Sequence, residues 1–175
     1  MNNLNKVQKS PTPISQSEQR QPTKKFNDGF IRFMKAADPK NDPVLMILKC
    51  HLLAEFYMDK LLIAALPRGD ILVDEDKVQL MFFNKLSVVE ALNILSKKII
   101  DSLKKLNKLR NDCSHEQDYE ISECDIDKLG NPFGVDYLKQ KKEISDKKQL
   151  LFRTLMILIS WLDFETDKYI LKKLT

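Results

Sequence analysis

Apolar residues recur at intervals of three and four along most of this chain, and no alternating apolar and polar run of any length appears. That rhythm constrains the fold more than any single motif. It lines up apolar side chains on one face of a helix, whereas a half-buried strand needs a period of two. Asp42-Pro43 marks the clearest start, with Asp as N-cap and Pro at the first helical position. From there Val44, Leu45, Ile47, Leu48, Leu52, Leu53, Phe56, Leu61 and Leu62 predict a helix to about Leu66, where Pro67 and Gly69 stop it. Leu80, Phe83, Leu86, Val89, Leu92 and Leu95 predict a second helix over Val78 to Leu95. A third over Ile99 to His115 follows with almost no break. The last, capped by Ser145 or Asp146, carries Leu150, Leu151, Leu155, Leu158, Ile159 and Leu162 and runs to about Leu171.

Two stretches fall outside this pattern. Residues 1–25 are rich in Asn, Gln, Ser, Lys and Pro and have few apolar residues, so they are expected to be a disordered tail. Phe26 to Ala37 reads as a short helix docked on the body. Between the third and last helices lies Glu116 to about Glu143, which holds Gly130-Asn131-Pro132-Phe133-Gly134. This reads as an inserted loop, a lid or contact surface, with an insertion carrying its own short helix as the equal alternative. The expected fold is all-α: an antiparallel four-helix bundle in one domain over residues 26–175, behind the tail and with the inserted loop before the last helix.

The 175 residues suffice to bury a core, and the formal net charge of +4 is compatible with a nucleic-acid partner without requiring one. Of 29 basic residues only five are arginine, the residue whose planar fork suits phosphate. Cys50, Cys113 and Cys124 are odd in number and widely spaced. They imply no disulfide framework, and no second cluster stands at metal-site spacing. No cofactor and no metal are expected. The most apolar stretch, Leu150 to Leu162, is too short for a bilayer and contains Arg153, and no signal-peptide pattern opens the chain. A cytoplasmic, reduced protein without membrane association is the expectation.

The third helix ends in Leu106-Asn107-Lys108-Leu109-Arg110-Asn111-Asp112-Cys113-Ser114-His115, which joins one of five arginines to one of two histidines. Ile99, Leu103, Leu106, Leu109 and Cys113 form an apolar stripe at about 100° per residue, and Arg110 falls almost in line with it. A charge there must be paired or face a cleft. Asn107, Asn111 and His115 form a polar strip beside it, with Ser114 between. Arginine can hold a phosphodiester and stabilise charge on it, and histidine can move protons near neutral pH. One such histidine is few for both proton roles in RNA cleavage, which points towards two chains sharing a site. A helix-terminal Arg-Asn-Asp is also a common capping arrangement, so spacing alone leaves both readings open.

The same run resembles the signature of the HEPN superfamily: Arg, four to six residues, then His, with a polar residue directly after the Arg. Upstream, Ile47 to Leu62 is similar to the first long helix of such domains, with Glu55 near its middle. Phe82-Phe83-Asn84-Lys85-Leu86 resembles the opening of their next helix. The resemblance covers about residues 42 to 171 and is nearest the mannitol operon repressor-like branch. It implies a homodimer with two Arg-His motifs meeting in a cleft, and a metal-independent endoribonuclease of the toxin or phage-defence kind. Arg110 would hold the phosphate, His115 would act as acid and base, and Asn111 would position them. Asn107, Ser114 and Glu55 would contact RNA or support those residues. His51, four residues before Glu55, is a further candidate for such support, although it reads more simply as an exposed or core-edge neighbour of Glu55. The implied partners are RNA, a second copy, and an antitoxin or regulatory protein. Some HEPN toxins carry a tyrosine two residues after the histidine, the target of a nucleotidyltransferase antitoxin. Gln117 stands at that position here, with Tyr119 the nearest tyrosine. Repressor-like members leave a second expectation, a non-catalytic regulatory or partner-binding protein of the same fold.

Overall fold

The computed structural model describes residues 42–74, 80–116 and 118–174, with Met34 and Lys40 as isolated positions. The tail over 1–25 and most of the Phe26 to Ala37 helix lie outside the described residues, as does Val78. Met34 packs against the core. All regular structure among the described residues is helical: α1 (Pro43–Ala65), α2 (Gly69–Val73), α3 (Phe82–Ala91), α4 (Lys97–His115), α5 (Glu123–Gly130), a 3₁₀ turn (Asn131–Phe133), α6 (Val135–Glu143) and α7 (Lys147–Leu174).

Helix α1 starts where its sequence dictates. The Asp42 carboxylate accepts from the Val44 N–H at 2.8 Å and Pro43 occupies the first turn, so the orphan amides there are satisfied or missing. It is covered on several sides, packing on α2, α3, α4 and α7. Met46, Ile47, Cys50, Ala54, Tyr57, Met58, Leu61 and Leu62 are wholly buried. Burial pushes the Cys50 thiol far above its ordinary range, which makes it an inert core residue. Tyr57 donates from its hydroxyl to Asp163 Oδ1 at 2.9 Å and so ties α1 to α7. Asp146, not Ser145, caps α7, accepting from the Gln149 N–H at 2.7 Å.

The second helix is shorter than its apolar period predicts. α3 begins at Phe82 and ends at Ala91, because Asn93 takes a left-handed φ of 51°. The turn it makes delivers Ser96 as N-cap of α4, where the Ser96 N–H donates to Glu165 Oε2 of α7 at 2.7 Å. A carboxylate at a helix N-terminus is favourably placed against the helix dipole.

Of the two readings of Glu116 to Glu143, the inserted loop is corrected and the insertion with its own helix is favoured, although it carries two helices rather than one. Ser122 and Asp125 form a capping box that starts α5. Gly130-Asn131-Pro132-Phe133-Gly134 makes only the 3₁₀ turn into α6, with Gly134 at a φ of 57°. Ile126, Leu129, Phe133 and Tyr137 are buried, so the hairpin belongs to the core. Buried Ser102 of α4 donates to the Leu129 carbonyl at 2.8 Å and satisfies an orphan acceptor at the end of α5. The hairpin packs on α4 and α7. No helix among the described residues is long and apolar enough to cross a membrane.

Candidate functional site

The Arg110 stripe resolves into a groove. Ile99, Leu103, Leu106 and Leu109 are buried as their spacing requires, while Cys113 and Arg110 are half-buried. Arg110 lines an open groove of about 480 Å³ between α1, α3 and α4, together with His51, Glu55, Phe83, Asn107 and Asn111. A charged residue on an apolar stripe thus faces a cleft, which is the condition its position imposes. Among the described residues, no carboxylate lies at ion-pair distance from Arg110. Its Nη1 donates to Asn111 Oδ1 at 3.1 Å, so the neighbouring side chain steers the guanidinium without neutralising it.

The opposite wall is built by α1. His51 is 6% exposed, and its ring stacks on Phe82 with centroids 3.9 Å apart. Its Nε2 lies 3.1 Å from Asn107 Oδ1. A carbonyl oxygen can only accept, so the ring carries a proton on Nε2. Burial pushes the His51 pKa below the ordinary histidine value, and the Arg110 charge acts in the same direction. The Asn107 bond and the Glu55 charge oppose them without prevailing. His51 is therefore a neutral ring holding an amide in place.

Glu55 stands one turn on from His51 at the groove rim and belongs to an ion triad whose cation is buried and whose carboxylates are half-buried. Lys85, 5% exposed, donates to Glu55 Oε1 at 2.9 Å and lies 2.8 Å from Asp59 Oδ1. Burial works against the Lys85 charge, but bonds to the two carboxylates outweigh it and hold the ammonium above its ordinary value. Burial raises the Asp59 carboxyl despite Lys85. The triad anchors α3 to α1 and pairs Glu55 with a cation it shares with Asp59, which lessens the repulsion an anion beside Arg110 meets.

The sequence-predicted residues divide. Arg110, Asn107, Asn111 and Glu55 come together in the groove. Ser114 and His115 do not line it: both are exposed, and the Ser114 hydroxyl donates to the Arg110 carbonyl at 2.9 Å, an i to i−4 bond within α4. His115 follows Arg110 by five positions, which turns their side chains about 140° apart on the helix. His51, a candidate supporting residue whose simpler reading was an exposed or core-edge position, is buried and lines the groove; its contacts with Phe82 and Asn107 are not revealed by spacing within α1. Exposed Phe83 and Asn84 were likewise absorbed into an amphipathic helix. Met81, the N-cap of α3, supplies no capping side chain beside them.

A second depression of about 290 Å³ lies across α4, between Lys105, Lys108, Asp112, Tyr119, Asp125 and Lys128. Its charges are largely paired with one another: Lys108 binds Asp112 at 2.8 Å, Lys128 binds Asp125 at 3.3 Å, and Tyr119 donates to Asp125 at 3.1 Å. The Arg110 groove, by contrast, presents a guanidinium that no carboxylate among the described residues pairs. No group of three or more His, Cys, Asp or Glu side chains among the described residues is placed to hold a metal ion.

Compared with protein-family models, with curated proteins and with solved structures, the chain matches none.

Proposed function

We propose that this protein is an RNA-binding endoribonuclease of HEPN type that acts as a homodimer, with Arg110 and His115 as its catalytic residues and Asn111 positioning them. The observation that carries the reading is Arg110 itself: a half-buried guanidinium in a groove, steered by Asn111 and, among the described residues, unopposed by a carboxylate. Such a group suits a phosphodiester, to which it donates two parallel bonds, and the charge that grows on the phosphorus oxygens during attack by the 2′-hydroxyl. His115 supplies the proton transfer. Because its side chain leaves α4 about 140° from Arg110, the reading takes Arg110 and His115 from facing chains, two such pairs meeting across a two-fold axis. An isologous contact of the α4 ends would create both pairs at once. A toxin or phage-defence role, with an antitoxin or regulatory protein as partner, is what the HEPN resemblance adds.

The exposure of His115 favours a second reading. Nothing among the described residues bonds its ring, so a non-catalytic regulatory protein of the same fold, binding a partner through the groove, uses the same geometry without the chemistry. The test is incubation of purified protein with RNA in excess EDTA, wild type beside Arg110→Ala and His115→Ala. Cleavage by wild type alone supports the nuclease. Intact RNA with all three proteins, at concentrations where sedimentation shows a dimer, overturns it and leaves the regulatory reading.

A further inference from the structure

The Arg110 groove carries more than a phosphate site. Phe83, in the first turn of α3, is 57% exposed and lines the groove from the wall facing α4. Leaving more than half of a phenylalanine in water forgoes hydrophobic stabilisation, although Phe82 beside it is buried on His51. Around the exposed ring stand groups that can read the edge of a flat polar ligand. Asn84 lines the groove and is exposed. Asn107 is held by the buried His51: with Oδ1 accepting from the ring, its Nδ2 hydrogens are left for the groove. His51 thus fixes which end of the Asn107 amide a ligand meets. At about 480 Å³ the groove falls within the range of clefts that take small ligands, roughly 300–1,000 Å³.

We infer that this groove is a subsite for one unpaired nucleotide of a single-stranded RNA, its base stacked on Phe83, its edge bonded by Asn107 and Asn84, and its phosphate held by Arg110. A cation, an open aromatic face and amide donors side by side are the means by which proteins bind unstacked bases. An RNA duplex keeps its bases stacked and offers none to Phe83, so the subsite discriminates single strands. Glu55, tied to Lys85, bounds the groove on the α1 side. The inference rests on the reading of the protein as RNA-binding and names what that site recognises. It does not require cleavage.

The experiment measures binding apart from chemistry. A fluorescein-labelled hexamer of 2′-O-methyl RNA, which has no free 2′-hydroxyl to attack, is titrated by anisotropy with wild type, Phe83→Ala, Phe83→Trp and Asn107→Ala. A 2′-O-methyl duplex serves as the control, and each variant is checked by circular dichroism and sedimentation. Loss of one base stack lowers hexamer affinity by roughly tenfold or more in Phe83→Ala, while Phe83→Trp holds or exceeds wild type. Asn107→Ala weakens the hexamer, and duplex binding is unchanged throughout. Equal hexamer affinity for wild type and a folded Phe83→Ala overturns the subsite. So does a Phe83→Ala protein that falls apart from dimer to monomer with its hexamer affinity intact, since the ring then covers a second copy. If wild type binds the hexamer through Phe83 but leaves RNA uncut, the subsite stands and the nuclease falls. If Phe83→Ala neither weakens binding nor slows cleavage, the nuclease stands and the subsite falls.

Discussion

His51 Nε2 lies 3.1 Å from Asn107 Oδ1, across 56 residues of chain. That bond joins α1 to α4 one turn before Arg110, with the ring clamped from behind by Phe82 at 3.9 Å. Three helices therefore fix the wall of one groove: a neutral histidine ties α1 to α4, beside the ion pairs of Lys85 that tie α3 to α1.

The neutral ring gives the fold a pH dependence of definite sign. In the folded chain the His51 pKa lies below its ordinary value of 6.5, so between the folded value and 6.5 the unfolded chain binds more protons. Stability then rises with pH through that window, is complete above it, and falls as the pH drops below 6.5. Asp59 and Asp163, whose carboxyls are raised by burial, act in the opposite sense from about their ordinary 3.8 upwards. The comparison must therefore be a difference. Urea melts of wild type and His51→Leu from pH 8 to pH 5 should converge towards acid, wild type losing stability the variant does not lose. Parallel curves would show that the ring titrates alike in both states.

Lys85 is a sharper structural test. Its side chain is 7% exposed, so the ammonium is poorly screened, while Glu55 and Asp59, each 28% exposed, keep partial contact with water. Lys85→Met leaves two carboxylates facing one another without a cation and should cost about 3 kcal/mol, the lower end of the range for breaking a buried pair. Adding Glu55→Gln and Asp59→Asn should return most of it. A single variant that unfolds at the wild-type urea midpoint would mean that water already screens the triad.

The insertion makes its own prediction at Gly130. A methyl group there would overlap the ring of Tyr137, which is wholly buried and donates from its hydroxyl to Asp127. An aromatic ring in a packed core cannot swing aside, so Gly130→Ala should destabilise by about 1–3 kcal/mol, as overpacking does. Chemical denaturation reads it. No change would mean that α6 is free to move off α5.

Gly130 also shows where sequence reasoning gave way. Ile126, Leu129, Phe133 and Tyr137 stand three and four apart, a helical spacing, yet Gly-Asn-Pro-Phe-Gly in their midst is also the composition of a loop. Local signals compete there, and burial against α4 and α7 decides between them. Helix α1 was legible because Asp42-Pro43 and Pro67 act on their own backbone within a few residues. In the site, the Arg110-Asn111 pair was legible as local sequence, and an arginine on an apolar stripe had to face a cleft. Glu55 was named as a supporting residue from its place in α1, but Phe83 was read only as an apolar position of its helix, since it reaches the cleft through the packing of α3 on α1 and α4.

The proposed sharing of one site by two chains has a consequence that neither variant shows alone. Arg110→Ala should lose RNA affinity and cleavage together, because the guanidinium holds the phosphate before and during reaction. His115→Ala should keep affinity and lose roughly 10²- to 10⁴-fold in kcat, the usual contribution of a proton-transfer group. A mixed dimer of the two would unite Arg110 of one chain with His115 of the other in one of its two pairs. Co-refolding equal amounts should then restore about a quarter of wild-type activity, since half the dimers are mixed and half their pairs intact. Recovery of that size, growing with the mixed fraction, needs facing chains. A mixture no more active than its components would place Arg110 and His115 in service of the same chain or of no reaction, and the 140° between them would then count against catalysis rather than for a dimer.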